Sequence, residues 1–183
     1  MIKIMGLGNF LIYIFISSME IYNVYSIGYE IRISSFELHP TESKILYIEN
    51  MKIVRFPKKK ELSLSGTLIV GDFPEDMKMS VTTSRKVGST FVEQPFASFK
   101  DVDACEMFSK DTMIMPLIKK SSNIPDKCPI PKGTYQIVNL STTPENLPRF
   151  LPHGDWNVTT EWKVNNATIY GITTYSTIVP ACC

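Results

Sequence analysis

Apolar and polar residues alternate along much of this chain, most clearly between residues 156 and 164. One face of an extended strand there would carry Trp156, Val158, Trp162 and Val164, and the other would carry Asn157, Thr159, Glu161 and Lys163. A repeat of two residues does not keep one apolar face on a helix, so it predicts a strand with one buried face. Strands of this kind must pair into sheets and cover their apolar faces.

The same strand signal recurs in other segments, which are residues 29–38, 45–56, 62–70, 77–81, 91–99, 133–140 and 169–178. In the first of them the alternation slips by one residue between Ile33 and Phe36, which predicts a β-bulge. Pro95 interrupts the aromatic-rich segment 91–99 and predicts an edge strand or a bend. The pair Asn165-Asn166 predicts a hairpin turn before the last strand.

Between residues 103 and 121 the alternation stops. Asp103 and Glu106 have the spacing of a helix-start capping pair, and apolar residues then follow at roughly helical spacing until Pro116, which should kink or end the helix. We predict one or two short helices here. The fold class is therefore all-β, an immunoglobulin-like sandwich of two antiparallel sheets with a short helical insert.

The amino-terminal segment has the layout of a secretory signal. Lys3 precedes the mostly apolar run 4–16, and the small residues Ser17 and Ser18 follow. A helix of that length rises about 20 Å, less than the roughly 30 Å of a bilayer's hydrocarbon core. We predict a signal peptide over residues 1–26, cleaved between 18 and 26, and one secreted domain over 27–183. The alternative is a buried first strand.

Secretion would make the asparagines of three Asn-x-Ser/Thr sequons available for glycosylation, namely Asn139, Asn157 and Asn166. It would also allow the four cysteines to pair. One arrangement joins Cys105 to Cys128 and leaves Cys182 and Cys183 for another partner, including a second chain in a disulfide-linked dimer. The other arrangement bonds both tail cysteines to Cys105 and Cys128.

Composition and motifs argue against several functional classes. Lys plus Arg number 19 and Asp plus Glu 18, so no charge excess favours a nucleic-acid partner. The two histidines, His39 and His153, are predicted to be surface loop residues without metal or triad spacing. Asp101 and Asp103 are interpreted as solvated turn residues rather than an acid–base pair. We predict a protein that is not an enzyme and that uses no metal or cofactor.

A series of short motifs carries a resemblance to a known family. In chain order they are Cys105-Glu-Met-Phe108, Ser122-Asn123-Ile-Pro125, Cys128-Pro129-Ile-Pro-Lys-Gly133-Thr-Tyr135, Leu147-Pro148 and Leu151-Pro152-His-Gly154-Asp-Trp156. This order, within residues 95–165, resembles the insect branch of the ML-type lipid-recognition proteins. It is most similar there to the secreted chemosensory A and B groups, which are related to the ganglioside activator protein.

The resemblance implies two antiparallel sheets that open into an apolar pocket, where a lipid or a hydrophobic semiochemical is held and not turned over. It also implies a disulfide between Cys105 and Cys128. Splayed sheets would admit such a pocket, whereas closed sheets would fill the same space with a solid core. The predicted lining residues are Met77, Met79, Phe91, Phe96, Phe99, Phe108, Tyr135, Trp156 and Trp162.

The sequence therefore predicts a secreted, non-enzymatic carrier of a lipid or small hydrophobic ligand. A role in chemosensation, with a chemosensory receptor as partner, is what the resemblance adds. One alternative is a glycosylated sandwich that binds another protein. Another is an accessory protein that presents lipid to a hydrolase, with Lys58–Lys60 making transient contact with an anionic membrane.

Overall fold

The computed structural model describes residues 28–55, 62–141 and 151–181. The predicted signal peptide, the Lys58–Lys60 run and the tail cysteines Cys182 and Cys183 lie outside these ranges. The strands of the described part, in chain order, are β1 (Tyr29–Pro40), β2 (Leu46–Arg55), β3 (Leu62–Val70), β4 (Lys78–Val87), β5 (Thr90–Glu93), β6 (Phe99–Asp103), β7 (Gly133–Leu140), β8 (Gly154–Val164) and β9 (Ala167–Pro180).

These strands form two sheets in which every neighbouring pair is antiparallel. The larger sheet has the order β1-β9-β8-β4-β5, and β6 also pairs with β4. The smaller sheet has the order β2-β3-β7. Two short helices lie between β6 and β7. The prediction of an all-β sandwich with a helical insert is confirmed.

Two local predictions about the larger sheet are also confirmed. The register of β1 against β9 shifts between Ile33 and Ser35, so the bulge keeps Ile33 and Phe36 on one face. Asn165 and Asn166 join β8 to β9 with φ angles of 50° and 62°. Two consecutive left-handed residues are what a two-residue hairpin of type I′ requires, and asparagine tolerates that conformation.

The helical insert consists of α1 (Ala104–Lys110) and α2 (Met115–Lys120). Asp103 begins α1 as predicted, since its Oδ1 accepts a hydrogen bond of 2.8 Å from the Glu106 backbone N–H. The prediction for Pro116 is wrong, because Pro116 lies in the first turn of α2 rather than at the end of a helix. A first-turn residue has no N–H partner within the helix, so proline is tolerated there.

Asp111 ends one helix and begins the next. Its backbone N–H donates to the Met107 carbonyl at the end of α1. Its carboxylate accepts from the backbone N–H groups of Met113, Ile114 and Met115 at 3.2, 2.7 and 2.7 Å, and so satisfies donors at the start of α2. A single residue therefore connects the two helices, through its backbone to α1 and through its side chain to α2.

A disulfide joins Cys105 in α1 to Cys128 in the loop after α2, with the two Cα atoms 5.3 Å apart. This confirms the pairing that the resemblance implies. It also excludes the arrangement in which the tail cysteines bond to Cys105 and Cys128. The bond closes a ring that contains both helices and fixes them beside β7.

Buried apolar side chains form two clusters. The principal cluster lies where the sheets and the insert meet, and it contains Leu46, Leu68, Val70, Met77, Ala104, Phe108, Ile124, Ile130, Tyr135, Ile137, Ile169 and Tyr170. The second cluster contains Tyr29, Trp156 and Ile178, with Ile31 and Leu151 packed against it. Because Trp156 and Tyr170 lie toward opposite ends of their paired strands, the larger sheet is covered at two separate ends.

Candidate functional site

The strand register shows which residues of the larger sheet face the smaller one. Trp162 on β8 lies opposite Tyr170 on β9 and Met79 on β4, and both Trp162 and Tyr170 pack in the principal cluster. This face is therefore the inward one. The next two rows on the same face are Val81–Thr160–Ile172 and Thr83–Val158–Thr174.

On β9 the usual order of burial is reversed in these two rows. Strands β8 and β9 each pair on both sides, yet their inward residues Thr160, Ile172 and Thr174 remain partly exposed. On the outward face Gly171 and Thr173 are buried, Thr173 with 6% of its surface exposed. A closed sandwich buries its inward residues, because the second sheet covers them. The smaller sheet therefore does not fully cover this part of the larger one.

The inward face of the smaller sheet is partly exposed at several positions, although Leu64 and Ile137 on the same face are buried. The residues that share the face of buried Leu68 include Ile48, Ile53, Leu62 and Leu140, and all four are partly exposed. We call the space between the two inward faces the inter-sheet cleft. Its partly exposed walls are Phe36, Leu38, Val81, Val158 and Ile172 on the larger sheet and Ile48, Ile53, Leu62 and Leu140 on the smaller one.

The charged groups that the described strands turn inward lie at the far ends of this cleft. In the described strands, the register gives Arg55 and Arg85 as the charged residues on the inward faces, and each lies at the end of its strand away from the principal cluster. The Arg85 guanidinium already has a hydrogen-bond partner, because its Nε and Nη2 donate to the His153 carbonyl at 3.3 and 2.9 Å. The walls are otherwise aliphatic or aromatic with a few hydroxyls, which suits an apolar and uncharged ligand.

The structure brings five of the nine predicted lining residues to the packed end of the cleft. Met77, Phe108 and Tyr135 are buried in the principal cluster, and Trp162 packs against it. Met79 on β4 is buried beside Trp162 on β8. These side chains close one end of the cleft and do not line its length. Aliphatic residues such as Val158 and Ile172 form the walls, and alternation along β8 already placed Val158 inward.

The other four predicted lining residues lie elsewhere. Trp156 is buried in the second cluster, where its indole N–H donates to the Pro152 carbonyl at 2.9 Å. Phe99 is partly buried on β6 opposite Val81, so it shares the inward face at the edge of the larger sheet, away from the packed end of the cleft. Phe91 and Phe96 are not in the cleft.

Phe91 and Phe96 are both exposed near the edge of the larger sheet. Phe91 is 38% exposed and meets the Tyr175 ring edge-on, with 6.4 Å between the ring centroids. Phe96 is 64% exposed in the single 3₁₀ turn Pro95–Ala97.

Tyr170 is a residue that the sequence did not single out. It is 1% exposed, and its hydroxyl has no hydrogen bond of ordinary length and angle in the described part of the chain. Burial raises the pKa of this hydroxyl, and a hydrogen bond with the Ile48 backbone that falls outside ordinary geometry lowers it. The side chain therefore extends from β9 toward β2 across the packed end of the cleft.

The three sequon asparagines differ in their surroundings. Asn166 is exposed at the tip of the β8–β9 hairpin. Asn157 is partly buried on the outward face, in register with Ser84 and Tyr175. Asn139 is partly buried at the end of β7, where its backbone N–H donates to the Ser65 hydroxyl at 3.0 Å.

The histidines are placed differently from each other. His39 is not a loop residue as predicted, because it lies in β1, where its Nε2 is 2.9 Å from the Thr173 hydroxyl. The alternation that defines β1 continues up to Pro40, and this extends the strand through His39. His153 is exposed just before β8.

Both aspartates that could have formed an acid–base pair have structural partners. Asp101 bonds Lys163 and Ser80, each at 3.2 Å, and these bonds hold the pKa of its carboxyl below the ordinary value of 3.8. Asp103 caps α1. In the described ranges, no three histidine, cysteine or carboxylate side chains are grouped so that they could hold a metal ion.

Two surface depressions lie outside the cleft. One, of about 340 Å³, borders the disulfide and is lined by residues such as Glu106 and Lys127. The other, of about 560 Å³, lies at the end of the smaller sheet between Lys44 and Lys132. Both are open to solvent and partly polar, unlike the walls of the cleft.

Comparison with known proteins gives one family match. A family model described as "Protein of unknown function (DUF1091)" matches residues 77–158, from the start of β4 into β8, and so includes the helical insert and the disulfide. No curated protein matches the chain. None of the helices in the described part has the length and apolar character needed to cross a membrane.

Proposed function

We propose that this chain is a secreted, non-enzymatic carrier that holds a lipid or small hydrophobic molecule in the inter-sheet cleft. The observation that carries the proposal is the reversed burial on β9, where inward Ile172 is partly exposed while outward Thr173 is buried. A ligand seated between the sheets would remove the exposed apolar surface from water, at roughly 25 cal/mol per Å². The aliphatic walls favour binding by apolar burial with few polar contacts.

We further propose that the protein belongs with the insect ML-type lipid-recognition proteins and serves chemosensation, with a receptor as its partner. The order of motifs between Cys105 and Trp156 supports this assignment. The two-sheet sandwich and the bond between Cys105 and Cys128 agree with what that resemblance implies.

Native mass spectrometry tests the carrier function without an assumed ligand. The protein is expressed from its full reading frame in insect cells, and the medium and the cell fraction are both assayed. We expect it in the medium with a stoichiometric adduct that organic extraction releases as a lipid or a hydrocarbon. Protein without an adduct, whose melting temperature no member of a lipid panel raises, would contradict the proposal.

A matched pair of substitutions tests whether the cleft is the binding site. Thr174 faces the cleft and Thr82 faces outward, and both are partly exposed residues of interior strands. Thr174→Phe fills the cleft and should reduce adduct occupancy at least about tenfold, whereas Thr82→Phe should leave it unchanged. Equal occupancy in the two variants would place the ligand outside the cleft.

An interaction module is the second candidate, and exposed apolar residues at the edge of the larger sheet favour it. Val87, Phe91, Val92 and Phe96 are exposed on the β4–β5 hairpin and the turn that follows. Exposed apolar surface of this kind is typical of protein contacts. Light scattering after gel filtration, with and without reductant, would detect a dimer. Loss of that dimer in Val92→Ser/Phe96→Ser, with no adduct in either protein, would favour this function.

A further inference from the structure

Two tryptophans lie at opposite ends of the open part of the inter-sheet cleft. Trp156 and Trp162 are both on β8, and because an even number of residues separates them, both side chains are on the inward face of the larger sheet. Val158 and Thr160 lie between them on that face, and both are partly exposed. The accessible inward positions in the middle of β8 are therefore flanked by an indole ring at each end.

The rows of the sheet that contain the two tryptophans are packed. In the Trp162 row, Tyr170 and Met79 are buried. In the Trp156 row, the tryptophan itself and Ile33 on β1 are buried. In the two rows between them, every inward residue of β1, β8 and β9 is partly exposed. The open space along β8 is therefore two rows long and is closed at both ends.

The spacing of the two tryptophans sets the length of that space. Strand residues rise about 3.3 Å each, so the Trp156 and Trp162 rows are about 20 Å apart. A carbon atom contacts a ring at about 3.5–4 Å, which leaves about 12–13 Å between the two ends of a ligand lying along β8. Carbon–carbon bonds of about 1.5 Å that meet at about 111° advance an extended chain by about 1.25 Å per bond, so about ten carbons fill the space.

We propose that the inter-sheet cleft limits the length of its ligand, and that it holds an extended, uncharged chain of about ten carbons between Trp156 and Trp162. This inference rests on the proposed carrier function and adds the size class of the ligand. In the described strands of the larger sheet, the inward residues of the two open rows carry no charge, so nothing there would pair with an ionised headgroup. A longer chain must leave its surplus carbons in water, where they gain nothing from burial.

The test compares three primary alcohols that differ only in length: 1-hexanol, 1-decanol and 1-tetradecanol. Their affinities are measured on delipidated secreted protein by displacement of an environment-sensitive fluorescent probe. Each CH₂ group that is buried raises affinity about fourfold, so four of them raise it roughly 250-fold. We expect a gain of that order from 1-hexanol to 1-decanol, and a gain of less than about threefold from 1-decanol to 1-tetradecanol.

Val158→Phe is the deciding variant, because it places a ring in the open row next to Trp156. One row occupies about 7 Å along the strand, so the space should shorten by about five carbons and the gain from 1-hexanol to 1-decanol should fall below about tenfold. Thr82→Phe is the matched control, since Thr82 is a partly exposed strand residue on the outward face. It should keep the gains of the wild type.

Trp156→Ala tests the closed end directly. Removal of the indole should let a longer chain extend past this row, so the gain from 1-decanol to 1-tetradecanol should rise to at least about tenfold. Cooperative urea unfolding shows whether this variant folds. If it does not, Val158→Phe and Thr82→Phe decide the inference without it.

The remaining outcomes separate this inference from the carrier function. If affinity rises equally over both steps of the alcohol series, or if Val158→Phe keeps the gains of the wild type, the length limit is refuted while the carrier function stands. The same holds if no alcohol binds but secreted protein carries an adduct. Failure to bind any alcohol, together with the absence of an adduct, would refute the carrier function and this inference with it.

Discussion

Lys163 on β8 and Asp101 on β6 are joined across β4, with the ammonium nitrogen 3.2 Å from the carboxylate oxygen Oδ1. The Ser80 hydroxyl on β4 donates to the same oxygen, and the Asp101 backbone N–H donates back to that hydroxyl at 3.0 Å. Asp101 also has a left-handed φ of 53°. This contact fixes the short strand β6 from which the helical insert begins.

The Asp101 contact predicts a loss of stability in acid. Its carboxyl has a lowered pKa because of Lys163 first and Ser80 second, so its contribution is complete above the ordinary value of 3.8 and is lost as the pH falls through the lowered value. Urea midpoints at pH 7 and pH 2.5 should differ less in Asp101→Asn than in the wild type. Lys163→Met should fall between the two, since it leaves Ser80 in place. An unchanged pH dependence in Asp101→Asn would contradict this.

Trp156→Ala should lower the free energy of unfolding by about 3–5 kcal/mol, because Trp156 is the largest side chain of the second cluster and is buried. Urea unfolding at neutral pH measures the change. Trp156→Phe is the control, and it should cost less because a ring still fills much of the space. A loss under about 1 kcal/mol for Trp156→Ala would show that the second cluster contributes little.

Cys128→Ser should destabilise the fold by about 2–5 kcal/mol, since it opens the ring closed by the disulfide to Cys105. Secreted yield and melting temperature should both fall. Cys105→Ser should have the same effect, and the double substitution should cost no more than either single one. Additive losses would mean that the two cysteines act separately.

The β8–β9 turn predicts a clear difference between two substitutions at Asn166. Its φ of 62° is open to glycine, so Asn166→Gly should leave the melting temperature nearly unchanged. A β-branched residue is strained there, and Asn166→Val should cost about 1–2 kcal/mol. Bacterially expressed protein keeps glycans out of the comparison. Equal melting temperatures for the two variants would argue against a left-handed residue at this position.

Glycan occupancy should follow exposure. Asn166 projects from a hairpin tip, whereas Asn157 is partly buried among the outward residues of β8. Intact mass before and after enzymatic deglycosylation should show that Asn166→Gln loses a glycan and Asn157→Gln does not. The reverse result would show that the outward face of β8 is more open than its packing indicates.

Features that depend on neighbouring residues could be predicted from the sequence. Alternation predicted the two faces of β8, the slip after Ile33 predicted the bulge, and Asp103 with Glu106 predicted the start of α1. Each of these signals acts within a few residues, so no knowledge of the partner strand was needed. Pro116 was predicted wrongly because the same proline fits either the end of one helix or the first turn of another, and the Asp111 carboxylate decides between them.

Features that depend on how the sheets meet could not be predicted. Phe91 and Phe96 were predicted to line the pocket, but Phe91 faces outward on the edge strand β5 and Phe96 lies in the turn that Pro95 begins, so both are exposed. Tyr170 gave no sequence signal, because the environment of its hydroxyl depends on β2 lying across from β9. Alternation predicted that aliphatic residues of the cleft walls face inward. Their partial exposure could not be predicted, because it depends on the distance between two sheets whose strands are far apart in the sequence.

The ring closed by Cys105 and Cys128 has a topological consequence for proteolysis. Both helices and the Asp111 connection between them lie inside the ring, so a protease that cuts any bond between the two cysteines opens the backbone without releasing a fragment. The nicked chain remains one covalent molecule until a reductant separates its halves. The two ends of the insert therefore stay bonded to each other after cleavage.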